Sequence, residues 1–322
     1  MKYRRKAAMQ SDSRSAAPAF HGRPMIRFAV LAAVWATLWS GAFAATKIAV
    51  SQSAPMTVVA IRCTVAGALM VALSWRATGG PPKKGLGGLI IVGVLNNTGY
   101  LGLIAAALPH VSVGMAAILT STIPIVVLVI SALQGEQLRM VQWAGCVIGF
   151  IGVTGSALTR LSSGDTTGGG IAIGSAAVAC LIAGTVLTPK LVPPGSPWMS
   201  TGVQSLAGGL PLAVGAFIFD GAPDFTPRFF IAVAYLIVGA SVFGMTLWLM
   251  IIREFGPERA AAAHFLPPLV SLGLGVVLLD EIPSVAAVDM CAPAALGVYL
   301  ATRPPASPPT RNRAGRRRRS TS

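Results

Sequence analysis

Acidic residues are scarce in this sequence. Ten Asp and Glu stand among 322 residues, with three histidines and 11% charged residues of any kind. A soluble globule of this length carries about a quarter of its residues as charge, so an ordinary water-facing surface is excluded. Hydrolytic chemistry also has little to work with. His21, His110 and His264 stand far apart with no cluster of acids, and neither HExxH nor GxSxG occurs. The phosphate-binding pattern GxxxxGK[ST] is missing too, so ATP is not expected to drive the chain directly. Cys63, Cys146, Cys180 and Cys291 form no CxxC pair and fall in apolar runs, which indicates neither a disulfide framework nor a zinc site. No cofactor and no metal are expected.

Apolar residues are abundant: 54% of the chain, for a mean hydropathy of +0.71. They come in runs of the length that crosses a bilayer, about 20 residues at ~1.5 Å per residue. Ten such runs are found, near 28–49, 56–75, 86–107, 112–133, 140–158, 169–188, 198–219, 229–252, 259–279 and 284–302. The links between them are short and no soluble domain fits. The opening MKYRRK is followed by a polar stretch and no small-residue cleavage site, so the first run is expected to be a retained span. The 36 glycines and 23 prolines suit membrane helices, where both residues are commoner than in soluble ones.

The net charge of +15 invites a nucleic-acid reading, but the basic residues sit in tails and short links. With the N-terminus inside, 21 Lys and Arg fall on the cytoplasmic side and Arg160 and Arg228 alone outside, Lys47 and Arg62 lying in or beside spans. This bias predicts a multi-pass protein of the cytoplasmic membrane with both termini in the cytoplasm. No nucleic-acid partner is expected. The Arg-rich block Arg311 to Arg319 could meet anionic lipid headgroups, although a solvated retention tail is the simpler reading.

The two halves of the chain repeat. GAFAATK (Gly41 to Lys47) matches GTVLTPK (Gly184 to Lys190), Pro55 and Gly67 recur as Pro197 and Gly209, and Gly99 recurs as Gly244. Glu136 precedes Gly152-Val153 by the same 16 residues as Glu281 precedes Gly297-Val298, and the offset drifts only from 142 to 145 along the series. Each half holds five spans. An odd number inserts the second half upside down, and inverted repeats are the construction of many secondary transporters. The expected organisation is a cytoplasmic tail 1–27, a first repeat 28–158, an outer link 159–168, a second repeat 169–302 and a basic cytoplasmic tail 303–322.

WSGAFAATK, the Pro55-to-Arg62 spacing, GEQLRMVQWAGCVIGFIGV and PPLVSLGLGVVLLDE resemble the EamA family of the drug/metabolite transporter superfamily, over nearly all of residues 28–302. The resemblance implies an all-α membrane protein of ten helices in two inverted repeats, moving small organic metabolites such as amino acids, often outward. Uptake or facilitated diffusion by the same fold is one alternative. A non-transporting scaffold or lipid-modifying protein is another, for which the missing acid and histidine clusters offer no support. No catalytic residue is expected.

Trp39, Ser40, Asn96, Asn97, Tyr100, Ser121, Thr122 and Trp248 lie in spans 1, 3, 4 and 8, which the resemblance places around a central cavity. Each alone is as readily explained by helix packing. Pro124 and the pair Pro267-Pro268 interrupt the fourth and ninth spans at near-equivalent positions, a pointer to a transport site, with a simple packing kink as the alternative. His264 lies one turn before Pro268 on the same face and joins the candidate lining, where it could titrate or bond a substrate, with a bond to a neighbouring helix carbonyl as the simpler reading. Arg62 is read as a structural or gating residue, with attraction of an anionic substrate or snorkelling as alternatives. Asp289 is a weak candidate for proton coupling, beside the readings of a tolerated, water-exposed acid and of a structural partner of Arg62 or of backbone donors: its repeat counterpart is Ala144, and the resemblance puts the last helix of each repeat away from the cavity. Gly145, Gly149 and Gly152 form one stripe suited to close helix approach.

Overall fold

The computed structural model describes residues 23–136, 138–158, 166–221, 225–270, 273 and 288–302. Among these every regular element is helical. The helices are α1 (Arg23–Val50), α2 (Pro55–Thr78), α3 (Leu86–His110), α4 (Val113–Ser121), α5 (Ile123–Leu133), α6 (Met140–Leu158), α7 (Gly168–Leu191), α8 (Pro197–Phe219), α9 (Pro227–Phe255), α10 (Pro257–Ala262) and α11 (Cys291–Ala301). Eight apolar helical stretches among the described residues are long enough to cross a membrane, the fourth of them running Met115–Leu133 through α4 and α5. They coincide with the first eight expected spans. The ninth and tenth are described only in part, as α10 with its continuation to residue 270 and as α11; Asp280, Glu281 and the link around Ser162 lie outside the described residues.

The starts of these helices follow from local chemistry. Pro55, Pro197, Pro227 and Pro257 each stand at the first helical turn, where the missing N–H costs nothing. Ser112, Thr167, Ser196 and Thr226 precede helices, and each side chain accepts a hydrogen bond from the backbone N–H three residues on. α9 ends at Gly256, whose φ of 86° reverses the chain into Pro257.

Large apolar side chains point outward along the bundle: Leu73 is 61% exposed, Ile231 71% and Phe217 91%. Such a surface is unstable in water and suits lipid. Polar contacts gather at two ends instead. At one, Arg27 pairs with Glu254 at 3.0 Å, Lys190 donates to Gln134 and Arg253 donates to the Pro193 carbonyl. At the other, Asp220 accepts from the Thr57 N–H and hydroxyl, Thr226 donates to Gln52 and Thr167 to the His110 carbonyl. The basic residues of the first end are among those assigned to the cytoplasmic side.

α2 and α8 run antiparallel in close contact. A Cβ on Gly67 would lie 2.8 Å from the Leu206 backbone nitrogen, and one on Gly209 would lie 2.9 Å from that of Thr64. Gly67 and Gly209 are repeat counterparts, as are Thr64 and Leu206, so the contact is mirrored. The pair α6 and α11 mirrors itself in the same way. Gly149 faces Gly297 while Gly152 faces Ala294, and Gly145 lies against the backbone of Ala301. The glycine stripe therefore allows backbone-to-backbone approach, as its spacing predicts.

Candidate functional site

An aromatic cluster fills the middle of the bundle. Trp35 and Trp39 stand four residues apart on one face of α1 with ring centroids 5.5 Å apart. Trp35 also stacks on Trp248 of α9 at 5.0 Å, and His264 meets the edges of Trp35 and Trp248 at 5.1 and 4.7 Å. Trp39 stacks on Tyr100 of α3 at 6.2 Å, and the Arg62 guanidinium of α2 lies 5.9 Å from the Trp39 ring centre. All six side chains are buried. Aromatic contacts at these separations add about 0.5–1.5 kcal/mol each beyond area burial, so the cluster ties α1, α2, α3, α9 and the segment after α10 together.

Polar groups surround it. Arg62 is 3% exposed, and its Nε donates to the Ser241 hydroxyl at 2.8 Å. It therefore does not snorkel, and it is not paired with Asp289, which lies exposed on the helical turn before α11. The Ser40 hydroxyl lies 2.7 Å from the Ala36 carbonyl and 3.0 Å from that of Pro267. Asn97 donates to the carbonyls of Gly93 and Gln204 at 3.1 Å, which joins α3 to α8. Asn96 is buried with its Oδ1 unpartnered. So are Trp35 Nε1, Trp248 Nε1, the Tyr100 hydroxyl, Arg62 Nη2 and Gln204 Nε2. Native proteins leave few buried polar atoms unpartnered, which singles this cluster out as the candidate site.

Two features of the backbone shape the site. α3 contains a π-helical segment, Val94–Gly102, and α9 contains another, Leu236–Met245. They occupy corresponding positions of the two repeats and carry Asn96, Asn97 and Tyr100 in one and Ser241 in the other. A π turn re-aims side chains relative to a regular helix and is frequent at functional sites. The prolines supply the second feature. The fourth span breaks at Thr122, with Pro124 opening α5. The ninth tightens to a 3-10 turn at Ala263–Phe265 before Pro267-Pro268. Both proline-bearing spans thus depart from regular α-helix beside their prolines, at a single turn residue in one and a 3-10 turn in the other.

Of the residues singled out from sequence, Trp39, Ser40, Asn96, Asn97, Tyr100, Trp248, His264 and Arg62 come together here with Pro267. The Ser121 and Thr122 hydroxyls donate to the Ile118 and Leu119 carbonyls of their own turn, in a span whose Ile123 and Val127 pack against the same core as the aromatic cluster. Trp35 and Ser241 are additions. Trp35 was legible from its four-residue spacing to Trp39, whereas Ser241 lies in an apolar run without a local signal.

The profile of the EamA-like transporter family matches the chain twice, over residues 26–158 and 168–303. The chain belongs to the EamA-like transporter family. Its EamA relatives include the inner membrane transporter YedA of Escherichia coli K12, 28% identical over 255 residues, covering 76% of this chain and 80% of that protein. PecM of Dickeya dadantii is 25% identical over 248 residues, with 76% and 82% covered. The WAT1-related chloroplastic protein At3g02690 of Arabidopsis thaliana is 25% identical over 283 residues, with 83% and 67% covered. A crystal structure superposes on 86% of this chain and 97% of its own with a TM-score of 0.71 at 21% identity, which shows a common fold. This EamA protein is accordingly a multi-pass membrane transporter.

Proposed function

We propose that the protein is a secondary transporter that exports small organic metabolites across the cytoplasmic membrane by alternating access. Its ten helices form two inverted repeats, and both termini face the cytoplasm. The mirrored contacts, Gly67 to Leu206 with Thr64 to Gly209 and Gly149 to Gly297 with Gly152 to Ala294, support this reading most directly. Two copies of one unit related by a two-fold axis in the membrane plane meet through reciprocal contacts, and exchange of their conformations turns an inward-open site outward. The candidate site occupies the middle, where such an exchange alternates its access. It is lined by Trp39, Ser40, Asn96, Asn97, Tyr100, Trp248 and His264, flanked by the breaks at Pro124 and Pro267-Pro268.

The test has two stages. Metabolite profiles of medium and cytosol, with and without the protein, identify what moves, and flux in liposomes then gives direction. Accumulation in the medium that depends on the protein is expected; an unchanged profile together with inert liposomes overturns the reading. In a cysteine-free background, Gly221→Cys should label from outside and Lys84→Cys from inside. Labelling of both from one side removes the inverted arrangement.

A further inference from the structure

Arg62 is the only buried cation among the described residues. Its Nε is held by a neutral hydroxyl, its Nη2 has no partner, and no described carboxylate pairs with it. A guanidinium buried inside a bundle is costly unless an anion compensates it. Two further donors with nothing to donate to, Trp35 Nε1 and Trp248 Nε1, lie further along the aromatic stack that begins at Trp39, and an indole N–H cannot act as an acceptor. Trp35 is stacked between Trp39 and Trp248, and Trp39 also meets Tyr100 and the guanidinium, so Arg62 stands beside a continuous aromatic wall.

The repeat shows that the fold does not require this arrangement. At the matching positions of the second half, Arg62 is replaced by Gln204, Trp35 by Val178 and Trp39 by Ile182. The positive charge and the Trp35–Trp39 pair are confined to the first repeat, and Trp248 joins them from the second.

We propose that Arg62 anchors the substrate's charge. The substrate class is then an organic monoanion with a flat apolar body, a carboxylate or sulfonate on an aromatic framework. The inference rests on the transporter reading above and narrows it. The planar fork of Arg62 matches a carboxylate or sulfonate, and the aromatic wall beside it suits an apolar body. A cation of the same shape meets repulsion from Arg62.

Tryptophan fluorescence of the full-length protein in nanodiscs, titrated with 3-phenylpropanoate, phenylalanine, phenethylamine and 3-phenylpropanol, varies charge on one phenyl skeleton. The anion is expected to bind at least tenfold more tightly than the amine. Arg62→Gln, which installs the residue of the other repeat, should weaken the anion at least tenfold and leave the alcohol within twofold. Arg62→Lys, which keeps the charge without the fork, should retain the preference for the anion at reduced strength. Equal binding of anion and amine, no binding of any of the four, or parallel losses for anion and alcohol in Arg62→Gln would each overturn the assignment. The wild-type series decides the matter should the glutamine variant fail to fold.

Flux is measured with benzenesulfonate, whose fixed charge keeps it from crossing lipid unaided. Charge-selective binding without protein-dependent flux leaves the anion site standing and removes transport. Flux of some other metabolite by a protein without charge preference does the reverse.

Discussion

The Nε of Arg62 donates to the Ser241 hydroxyl across the interface between the two halves, while the residues at the matching repeat positions, Gln204 and Asn96, each keep an unpartnered buried atom. The two halves thus share a backbone plan and differ in how their polar groups are satisfied. One polar pair is closed and its counterpart open.

Removing the acceptor should be felt. Ser241→Ala leaves the Nε buried without a partner, a loss of about 1–3 kcal/mol. The expected result is a lower melting temperature of the purified protein with membrane insertion retained. A double variant with Arg62→Gln should recover most of the loss, because the stranded charge is gone. Thermal melting of the three variants checks this, and an unchanged melting temperature for Ser241→Ala would show that water already serves the guanidinium.

Close approach of α6 and α11 makes a second expectation. A side chain at Gly152 would run into the backbone of Ala294, which cannot yield as a flexible side chain does. Gly152→Val should therefore sharply reduce the amount of folded protein in the membrane. Gly87 lies on α3 with open space around it, so Gly87→Ala should be neutral or stabilising by a few tenths of a kcal/mol, up to ~1. Fluorescence size-exclusion profiles of the two variants separate packing from a general intolerance of glycine replacement.

Ser40 ties α1 to the carbonyl of Pro267 at the interrupted part of the ninth span. One such bond contributes about 0.5–1.5 kcal/mol, too little to decide folding but enough to bias a conformational equilibrium several-fold. Ser40→Ala and Pro268→Ala should each lower the transport rate several-fold at near-normal membrane abundance. Rates per molecule equal to wild type in both would move the transport-relevant break to Pro124.

Much of this was legible in the sequence because it depends on composition and spacing. Runs of apolar residues set the first eight spans, and the glycine stripe on α6 set its contact with α11. The aromatic cluster was half legible. Trp39, Tyr100 and Trp248 stood out as polar-edged residues inside spans, yet their meeting depends on three helices that come together only in the fold. The π segments left no trace in sequence, since Gly- and Val-rich runs such as VLNNTGYLG read the same whether each turn closes at four residues or five. Ser121 and Thr122 bond carbonyls of their own turn, a local arrangement that a hydroxyl in a helix adopts whatever it lines.

Asp289 poses the last question, because a carboxylate at the centre of a membrane helix costs about 2.5–3.5 kcal/mol and is usually functional. Its surroundings argue otherwise. It is exposed, its neighbour Val288 is 49% exposed, and the adjoining α11 packs closely on α6. The cation that would have made it a buried partner, Arg62, bonds to Ser241 instead. An exposed acid near the end of a span reaches headgroups or water at small cost. Asp289→Asn keeps the shape and removes the titration. Transport driven by a pH gradient should survive that change within twofold. A collapse of pH-driven flux, with exchange of substrate across the membrane still intact, would instead make Asp289 the coupling acid and place proton movement at the rim of the bundle rather than at its centre.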